Sequence, residues 1–268
     1  MRLSEARALL SSAGVENALS DARRIFSELG GIPMSALVGT DAECSSPAVE
    51  AAIMRRANRE PLQYILGYTH FYKELYEVSE ACLIPREDTE ILVDTAIRML
   101  PPGESVLDLC TGSGCVGVSV LSNTENTTAT LVDVSAPALA LAGKNAERNG
   151  VVQRTDLLLM DLTQEFPSGE WFCILSNPPY VSREAYARLE RELYLEPKNA
   201  FLGGEDGGDF YRILVPEAKK HLKKGGFIAF EIGYDQAELL KALAYENSLN
   251  VEIIKDLSGN DRVALLTE

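Results

Sequence analysis

From residue 88 onward, short apolar runs alternate with helical segments along the chain. The apolar runs cover residues 105–110, 128–135, 155–162, 170–177 and 227–233, and a closing strand pair follows from residue 250. The segments between them, including 136–150 and 209–226, are interpreted as helices. Strands that alternate with helices predict a mostly parallel sheet covered on both faces. The expected fold class is therefore α/β, with seven strands in a domain that spans residues 85–268.

The first 68 residues have a different pattern, which predicts a small helical domain. The apolar positions that share helical faces are Leu3, Ala6, Leu9 and Leu10 in one segment, and Ala22, Ile25, Phe26 and Leu29 in the next. A third helix is expected after Ser46 as N-cap, with Pro47 in its first turn. Residues 61–85 are extended and aromatic in character. They predict a hairpin, of which residues 69–84 would link the two domains.

Composition narrows the functional class. The 268 residues carry a net charge of −15, which disfavours stable binding to nucleic acid because phosphate contacts dominate affinity there. No apolar run approaches the roughly 18 residues of a membrane span, and the N-terminus does not resemble a secretory signal. Five scattered cysteines favour reduced thiols in a cytoplasmic protein, and the presence of only two histidines excludes a histidine-rich metal site. We expect a monomer that acts on a small molecule or a protein.

A glycine-rich turn follows the first predicted strand of the larger domain. Residues 108–117, DLCTGSGCVG, have the spacing G-x-G-x-x-G, which lets the backbone approach a ligand and points helix N–H groups at it. Asp133 ends the second strand, where it could hold the ribose hydroxyls of a nucleotide. Asp161 ends the third strand, beside the position where the base of that nucleotide would lie. The alternatives are a tight turn without a ligand and a helix-capping role for Asp133.

The position of Asp108 indicates which nucleotide this turn would bind. It lies four residues before the first glycine, so that a carboxylate stands beside the turn. An anion at this position repels a diphosphate but suits a ligand with an amino group and a sulfonium. This disfavours the alternative of an NAD-dependent oxidoreductase.

The motif Asn177-Pro178-Pro179-Tyr180 follows the fourth strand and reaches the same edge of the sheet. The prolines restrict the local backbone, so that the Asn177 side-chain oxygen and a neighbouring carbonyl can accept both hydrogens of an –NH2 group. Tyr180 offers a flat face for a planar amide or base. Those hydrogen bonds strengthen as the nitrogen gains a methyl group, which stabilises the transition state. The alternative is a plain turn.

Seven segments in one order closely resemble the HemK/PrmC family of peptide chain release factor glutamine methyltransferases. They are PLQYILGYTHFY, LIPREDTEILVD, DLCTGSGC, SNPPYV, EPKNAFLGGEDGGDFYR, FEIG and DLSGNDRV. The resemblance covers nearly the whole chain. It implies a Rossmann-like class I S-adenosylmethionine-dependent methyltransferase that releases S-adenosylhomocysteine. The implied substrate is the glutamine amide in the Gly-Gly-Gln motif of class 1 release factors, which the N-terminal domain would help to bind.

The resemblance also implies the site residues. The catalytic residues would be Asn177, Pro178 and Tyr180, and the glutamine would contact Asn177, Pro178, Pro179 and Tyr180. The cofactor would contact Cys110, Thr111, Gly112, Ser113, Gly114, Asp133, Asp161, Leu162 and Asn177. No metal is implied. The chain departs from the family pattern at Cys110, where glycine is usual, at Leu162, where a large residue such as Trp is common, and at Glu87, which replaces a proline.

Some alternatives remain open at this point. An enzyme that methylates an adenine or guanine amino group would share the NPPY motif, and a non-catalytic release-factor-binding module would share the fold. Pro85 and Arg86 are either part of the site or a salt-bridged hinge. Residues 196–212 either flank the substrate cleft or form an ordinary connection.

Overall fold

A computed structural model describes all 268 residues and divides the chain into two compact units. The smaller unit comprises Met1–Tyr68 and Glu190–Leu195, and the larger comprises Thr69–Leu189 and Glu196–Glu268. None of the helices combines the length and the apolar character that crossing a membrane requires.

The smaller unit is helical, as predicted. Its helices are α1 (Leu3–Ser12), α2 (Ala18–Glu28), α3 (Pro47–Ala57) and α4 (Leu62–Leu66), with a 3₁₀ turn at Met34–Leu37. The predicted apolar faces of α1 and α2 form its core, with Ala6, Leu10, Ile25 and Phe26 fully buried. Leu29 was expected on this face but is 37% exposed, because α2 ends one residue before it.

The segment after α3 differs from the expectation. Its first part is the short helix α4, which Gly67 ends at φ 82°, and the hairpin consists of β1 (Tyr68–Phe71) and β2 (Glu74–Glu77). Residues 69–84 were interpreted as a linker. In the structure they group with the larger unit, because Phe71 and Tyr76 are buried in its hydrophobic core.

The larger unit contains the predicted seven-stranded sheet. Its strands are β3 (Ser105–Leu109), β4 (Thr128–Asp133), β5 (Thr155–Leu159), β6 (Trp171–Ser176), β7 (Leu222–Glu231), β8 (Asn250–Lys255) and β9 (Asp261–Thr267). They lie in the order β5-β4-β3-β6-β7-β9-β8, with β9 antiparallel to both of its neighbours and the remaining pairs parallel. The α/β fold class is therefore confirmed.

Helices cover both faces of this sheet. They are α5 (Glu90–Met99), α6 (Cys115–Ser122), α7 (Ala136–Arg148), α9 (Asp209–Lys220) and α10 (Ala237–Glu246), while the short helix α8 (Arg183–Tyr186) buries no residue. Two hydrophobic clusters result: Val106 belongs to one, while Leu107 and Leu109 belong to the other, because successive strand residues point to opposite faces.

The helix predicted over residues 209–226 is shorter in the structure. It ends at Lys220, and residues 222–226 instead begin β7. Leu222 pairs with Trp171, and a register shift between Trp171 and Cys173 accommodates the extra residues of β7. Gly225 has φ 77°, a conformation that glycine adopts without strain.

Candidate active site

The carboxyl ends of β3, β4 and β6 open into one pocket of the larger unit, where ligands of open α/β sheets bind. The predicted residues that line it are Cys110, Thr111, Gly112, Ser113, Asp133, Asp161, Leu162, Asn177 and Pro179. Of the other predicted residues, Gly114 packs against α7, since a Cβ built there would lie 3.0 Å from the Ala142 Cβ. Pro178 is buried, and neither Pro178 nor Tyr180 lines the pocket; the Tyr180 hydroxyl contacts a partner described below.

The glycine turn is held against the end of β4. The Gly112 N–H donates to Asp133 Oδ2 at 2.8 Å, and the Ser135 N–H donates to Asp133 Oδ1 at 2.9 Å. Cys110 has φ 58°, Gly112 has φ 56° and Gly114 has φ 81°, so the chain passes three times through the left-handed region within this turn. Burial raises the pKa of Asp133 despite these hydrogen bonds. A turn of this shape presents backbone groups and one carboxylate to a ligand.

Asp108 lies beneath the turn rather than beside it. Its Oδ2 accepts from Thr111 Oγ1 at 2.5 Å and from the Gly117 N–H at 3.0 Å. Burial raises its pKa to about 7, and the two hydrogen bonds oppose that shift. A Cβ on Gly117 would lie 2.3 Å from Leu131 Cδ2 and 3.0 Å from Asp108 Oδ2. The third glycine of the motif is therefore required for helix α6 to approach this carboxylate.

The NPPY segment follows β6, which is tied to β3 by a hydrogen bond of 2.7 Å from Ser176 Oγ to the Leu109 carbonyl. Asn177 Nδ2 donates to Thr89 Oγ1 at 3.1 Å. The Tyr180 hydroxyl donates to Glu231 Oε1 at 3.1 Å, and its pKa is raised by burial and by this carboxylate. Both ends of the motif are thus held by side chains from other elements.

Asp161 and Leu162 follow β5 at the far side of the pocket. Asp161 is exposed and accepts from the N–H and hydroxyl of Thr163 at 2.9 and 2.7 Å, which lower its pKa. Leu162 is 5% exposed and gives the pocket an apolar wall. The arrangement offers one charged and one apolar group to a ligand.

Comparisons with known proteins agree with this geometry. The PrmC N-terminal domain model matches residues 2–67, and the Methyltransferase small domain model matches residues 87–204. A release factor glutamine methyltransferase from Caulobacter vibrioides is 37% identical over 265 residues, covering 96% of this chain and 91% of the relative. The chain belongs to the release factor glutamine methyltransferase family.

Other members of this family match nearly as well. The protein of that name from Geobacter sulfurreducens is 36% identical over 263 residues, covering 96% of this chain and 92% of the relative. Among solved structures, a ribosomal protein L11 methylase from Lactobacillus delbrueckii subsp. bulgaricus has a TM-score of 0.52 and 20% identity. The match covers 71% of the present chain and 83% of the methylase chain. This neighbour supports the methyltransferase fold.

Several residues that line the pocket were not predicted as site residues from the sequence. Cys82, Thr89, Asn199 and Phe210 line the pocket together with Pro85, Arg86, Pro197 and Ala200. Apart from Cys82, these residues belong to the segments LIPREDTEILVD and EPKNAFLGGEDGGDFYR, for which the sequence left two interpretations open.

The two segments are joined through Glu196, whose side chain is 1% exposed. Glu196 accepts from the Ile84 N–H at 2.9 Å and forms an ion pair with Arg86. Arg86 therefore forms the salt bridge expected of a hinge, and it lines the pocket as well. The segment that begins at residue 196 flanks the cleft.

Proposed function

We propose that this chain transfers a methyl group from S-adenosylmethionine to a glutamine side-chain amide, in the Gly-Gly-Gln motif of class 1 peptide chain release factors. The observation that carries this proposal is one pocket that joins Asn177 and Pro179 to the glycine turn and Asp133. The relatives of this chain named release factor glutamine methyltransferase support the choice of substrate.

The residues of the pocket fit this cofactor. Asp133 and the turn at Gly112 suit ribose hydroxyls and the amino-acid end, while Asp161 and Leu162 suit the edge and face of adenine. When it is ionised, Asp108, buried below the turn, supplies negative potential where the cofactor is cationic. When bound, S-adenosylmethionine supplies a methyl group activated by a positively charged sulfur.

The chain itself binds and orients the glutamine amide. Asn177 Oδ1 and the Pro178 carbonyl would accept its two N–H hydrogens, and these bonds strengthen as positive charge develops on the nitrogen. The restricted backbone of the two prolines keeps both acceptors in place before the substrate binds.

The smaller unit would bind the release factor. Its helices and residues 190–195 are held together by a buried charge cluster, in which Arg56 pairs with Asp21 at 2.8 Å and with Glu192 at 3.0 Å. Arg59 also pairs with Glu192, at 2.8 Å. We infer a rigid helical surface for a protein partner, in an enzyme that acts as a monomer in the cytoplasm and binds no nucleic acid stably.

The test is incubation of purified protein with isotope-labelled S-adenosylmethionine and a purified release factor, followed by peptide mass spectrometry. We expect one added methyl group on the Gly-Gly-Gln glutamine, and none on a release factor in which that glutamine is replaced. Label that enters DNA or RNA but not the release factor would favour a nucleic-acid amino-methyltransferase. Binding to the release factor without any turnover would favour a non-catalytic module.

A further inference from the structure

A buried glutamate lies directly behind the NPPY motif. Glu231 is the last residue of β7 and is 2% exposed. β6 and β7 are paired with Ser176 opposite Phe230. Asn177 follows Ser176 and Glu231 follows Phe230, so Glu231 is adjacent to the motif. An ionisable side chain is rarely buried so completely unless polar groups contact it.

The contacts of Glu231 connect it to both ends of the motif. The Tyr180 hydroxyl donates to Oε1 at 3.1 Å. The Thr89 hydroxyl is near enough to this carboxylate to lower its pKa. Oε2 is buried and has no hydrogen-bond partner, so the nearby Thr89 hydroxyl is a donor from which it could accept. Thr89, 2% exposed, in turn accepts from Asn177 Nδ2 at 3.1 Å.

A hydrogen bond from Thr89 to the unpaired Oε2 would define the direction of the bonds around it. A threonine hydroxyl has one proton to donate, and a carboxylate can only accept. If the Thr89 proton goes to Glu231, then Thr89 can only accept from its other neighbour, which must present its –NH2 group. The two ends of the Asn177 amide have nearly the same shape, so this polarity distinguishes them. Oδ1 is then turned away from Thr89.

The charges around Glu231 maintain this polarity. Burial raises its pKa to about 7, and Arg262 on β9 opposes that shift while Asp88 adds to it. Arg262 is itself paired with Asp88 at 3.1 Å and with Asp256 at 3.2 Å. At about pH 8 the group is therefore a carboxylate and an acceptor, which is the condition for the direction of bonds described above.

We propose that Glu231 and Thr89 are positioning residues that fix the Asn177 amide with its oxygen toward the substrate, while Glu231 also holds the Tyr180 hydroxyl. This inference rests on the proposed methyl transfer to a glutamine amide. An inverted Asn177 would present –NH2 to the –NH2 of the substrate, and neither group could accept. Substrate specificity for an amide therefore depends on a carboxylate that does not line the pocket.

The first test replaces Thr89 with valine, which keeps the shape and removes the hydroxyl. We expect kcat for release-factor methylation at about pH 8 to fall about tenfold or more, with the Kd for S-adenosylmethionine and the melting temperature little changed. Thr89→Ser should recover most of the loss. Thr95→Val is the matched control, because Thr95 is equally buried on α5 and does not line the pocket.

A double variant separates positioning from a general structural role. If Thr89 acts through Asn177, then Thr89→Val should cause no further loss in an Asn177→Ala background. Glu231→Gln should resemble Thr89→Val, because a glutamine amide can donate to Thr89 and reverse the direction of the bonds. Additive losses, or a wild-type kcat for Thr89→Val in an enzyme that methylates release factor, would refute the inference and leave the proposed function intact.

The second test needs no substrate, so it stands even if the proposed function fails. In isotope-labelled protein, the side-chain –NH2 of Asn177 should exchange slowly with solvent, since it is bonded to Thr89. Thr89→Val should accelerate this exchange, and Thr89→Ser should not. Fast exchange in the wild-type protein, or exchange that does not respond to the loss of the hydroxyl, would contradict the inference.

Discussion

Two buried carboxylates lie on either side of β6 and serve different ends of the pocket. Asp108 on β3 and Glu231 on β7 are 1% and 2% exposed, and burial raises the pKa of each to about 7. Asp108 accepts from the Gly117 backbone and from Thr111 inside the glycine turn. Glu231 contacts side chains of the NPPY end. Equal burial thus supports two functions, because one carboxylate shapes a loop and the other orients reacting groups.

The largest expected effect would come from Asn177→Ala, which removes the Oδ1 acceptor of the NPPY motif, at the end of the pocket near Glu231. Loss of one preorganised hydrogen-bonding group at a reacting centre costs about 10²–10³ in kcat. The Kd for S-adenosylmethionine should change much less, since the turn and Asp133 remain. Steady-state methylation of release factor and calorimetric titration of the cofactor would measure the two quantities.

Asn199→Ala is the control for that variant, because it removes another amide that lines the same pocket outside the NPPY motif. Its effect on kcat should be clearly smaller. If Asn177→Ala weakened cofactor binding as much as it lowered kcat, the division of the pocket into a binding end and a reacting end would be wrong.

The pH dependence of stability tests what the two carboxylates share. A carboxyl whose pKa is higher in the folded state than in the unfolded state stabilises the fold fully when the pH is below its unfolded-state pKa. This contribution is lost as the pH rises through the folded-state pKa. Between about pH 5 and pH 8, the free energy of unfolding without cofactor should fall by about 2 kcal/mol per carboxyl. Denaturant unfolding at both pH values would measure this fall.

Asp108→Asn and Glu231→Gln should each remove part of this dependence, because an amide cannot ionise. Asp206, whose pKa is lowered by Arg212, titrates below this range and would not mask the effect. A stability that rises from about pH 5 to about pH 8 would show that these carboxyls are not held in the buried state described here.

Thr111→Val sharpens the comparison, since Thr111 donates a hydrogen bond to Asp108, the kind of bond that we propose between Thr89 and Glu231. Removing a hydrogen bond to a buried carboxylate should lower the free energy of unfolding by about 1.5 kcal/mol. Here the Kd for the cofactor should rise several-fold while kcat is nearly retained, the reverse of Thr89→Val. Denaturant unfolding, titration and steady-state kinetics on both variants would reveal whether the two threonines differ as expected.

The positions of the strands and of the glycine turn could be predicted because they depend on local patterns. Apolar runs between helical segments and a G-x-G-x-x-G spacing are visible in one stretch of chain. The start of β7 was not predictable in this way. Its Lys223, Lys224 and Gly225 resemble the end of a charged helix, and only pairing with β6 makes them part of a strand.

The supporting residues of the site depend on contacts between distant parts of the chain. Thr89 and Asn177 are separated by 88 positions, and Tyr180 and Glu231 by 51. The only local sign was a glutamate inside the apolar run FIAFEIG, where a buried charge needs a partner. Such partners come from the register of the sheet, which no single segment specifies.

The smallest predicted effect concerns Cys110, where the resemblance to the family implies a glycine. Cys110 has φ 58°, and a side chain in this conformation costs about 1 kcal/mol relative to glycine. Cys110→Gly should therefore be more stable than Cys110→Ala by about 1 kcal/mol, because only glycine removes the steric conflict, while both variants lose the thiol. Thermal unfolding of the pair measures this difference directly. Equal melting temperatures would mean that the turn above Asp108 accepts a side chain at no cost, and that the usual glycine serves close approach of the cofactor instead.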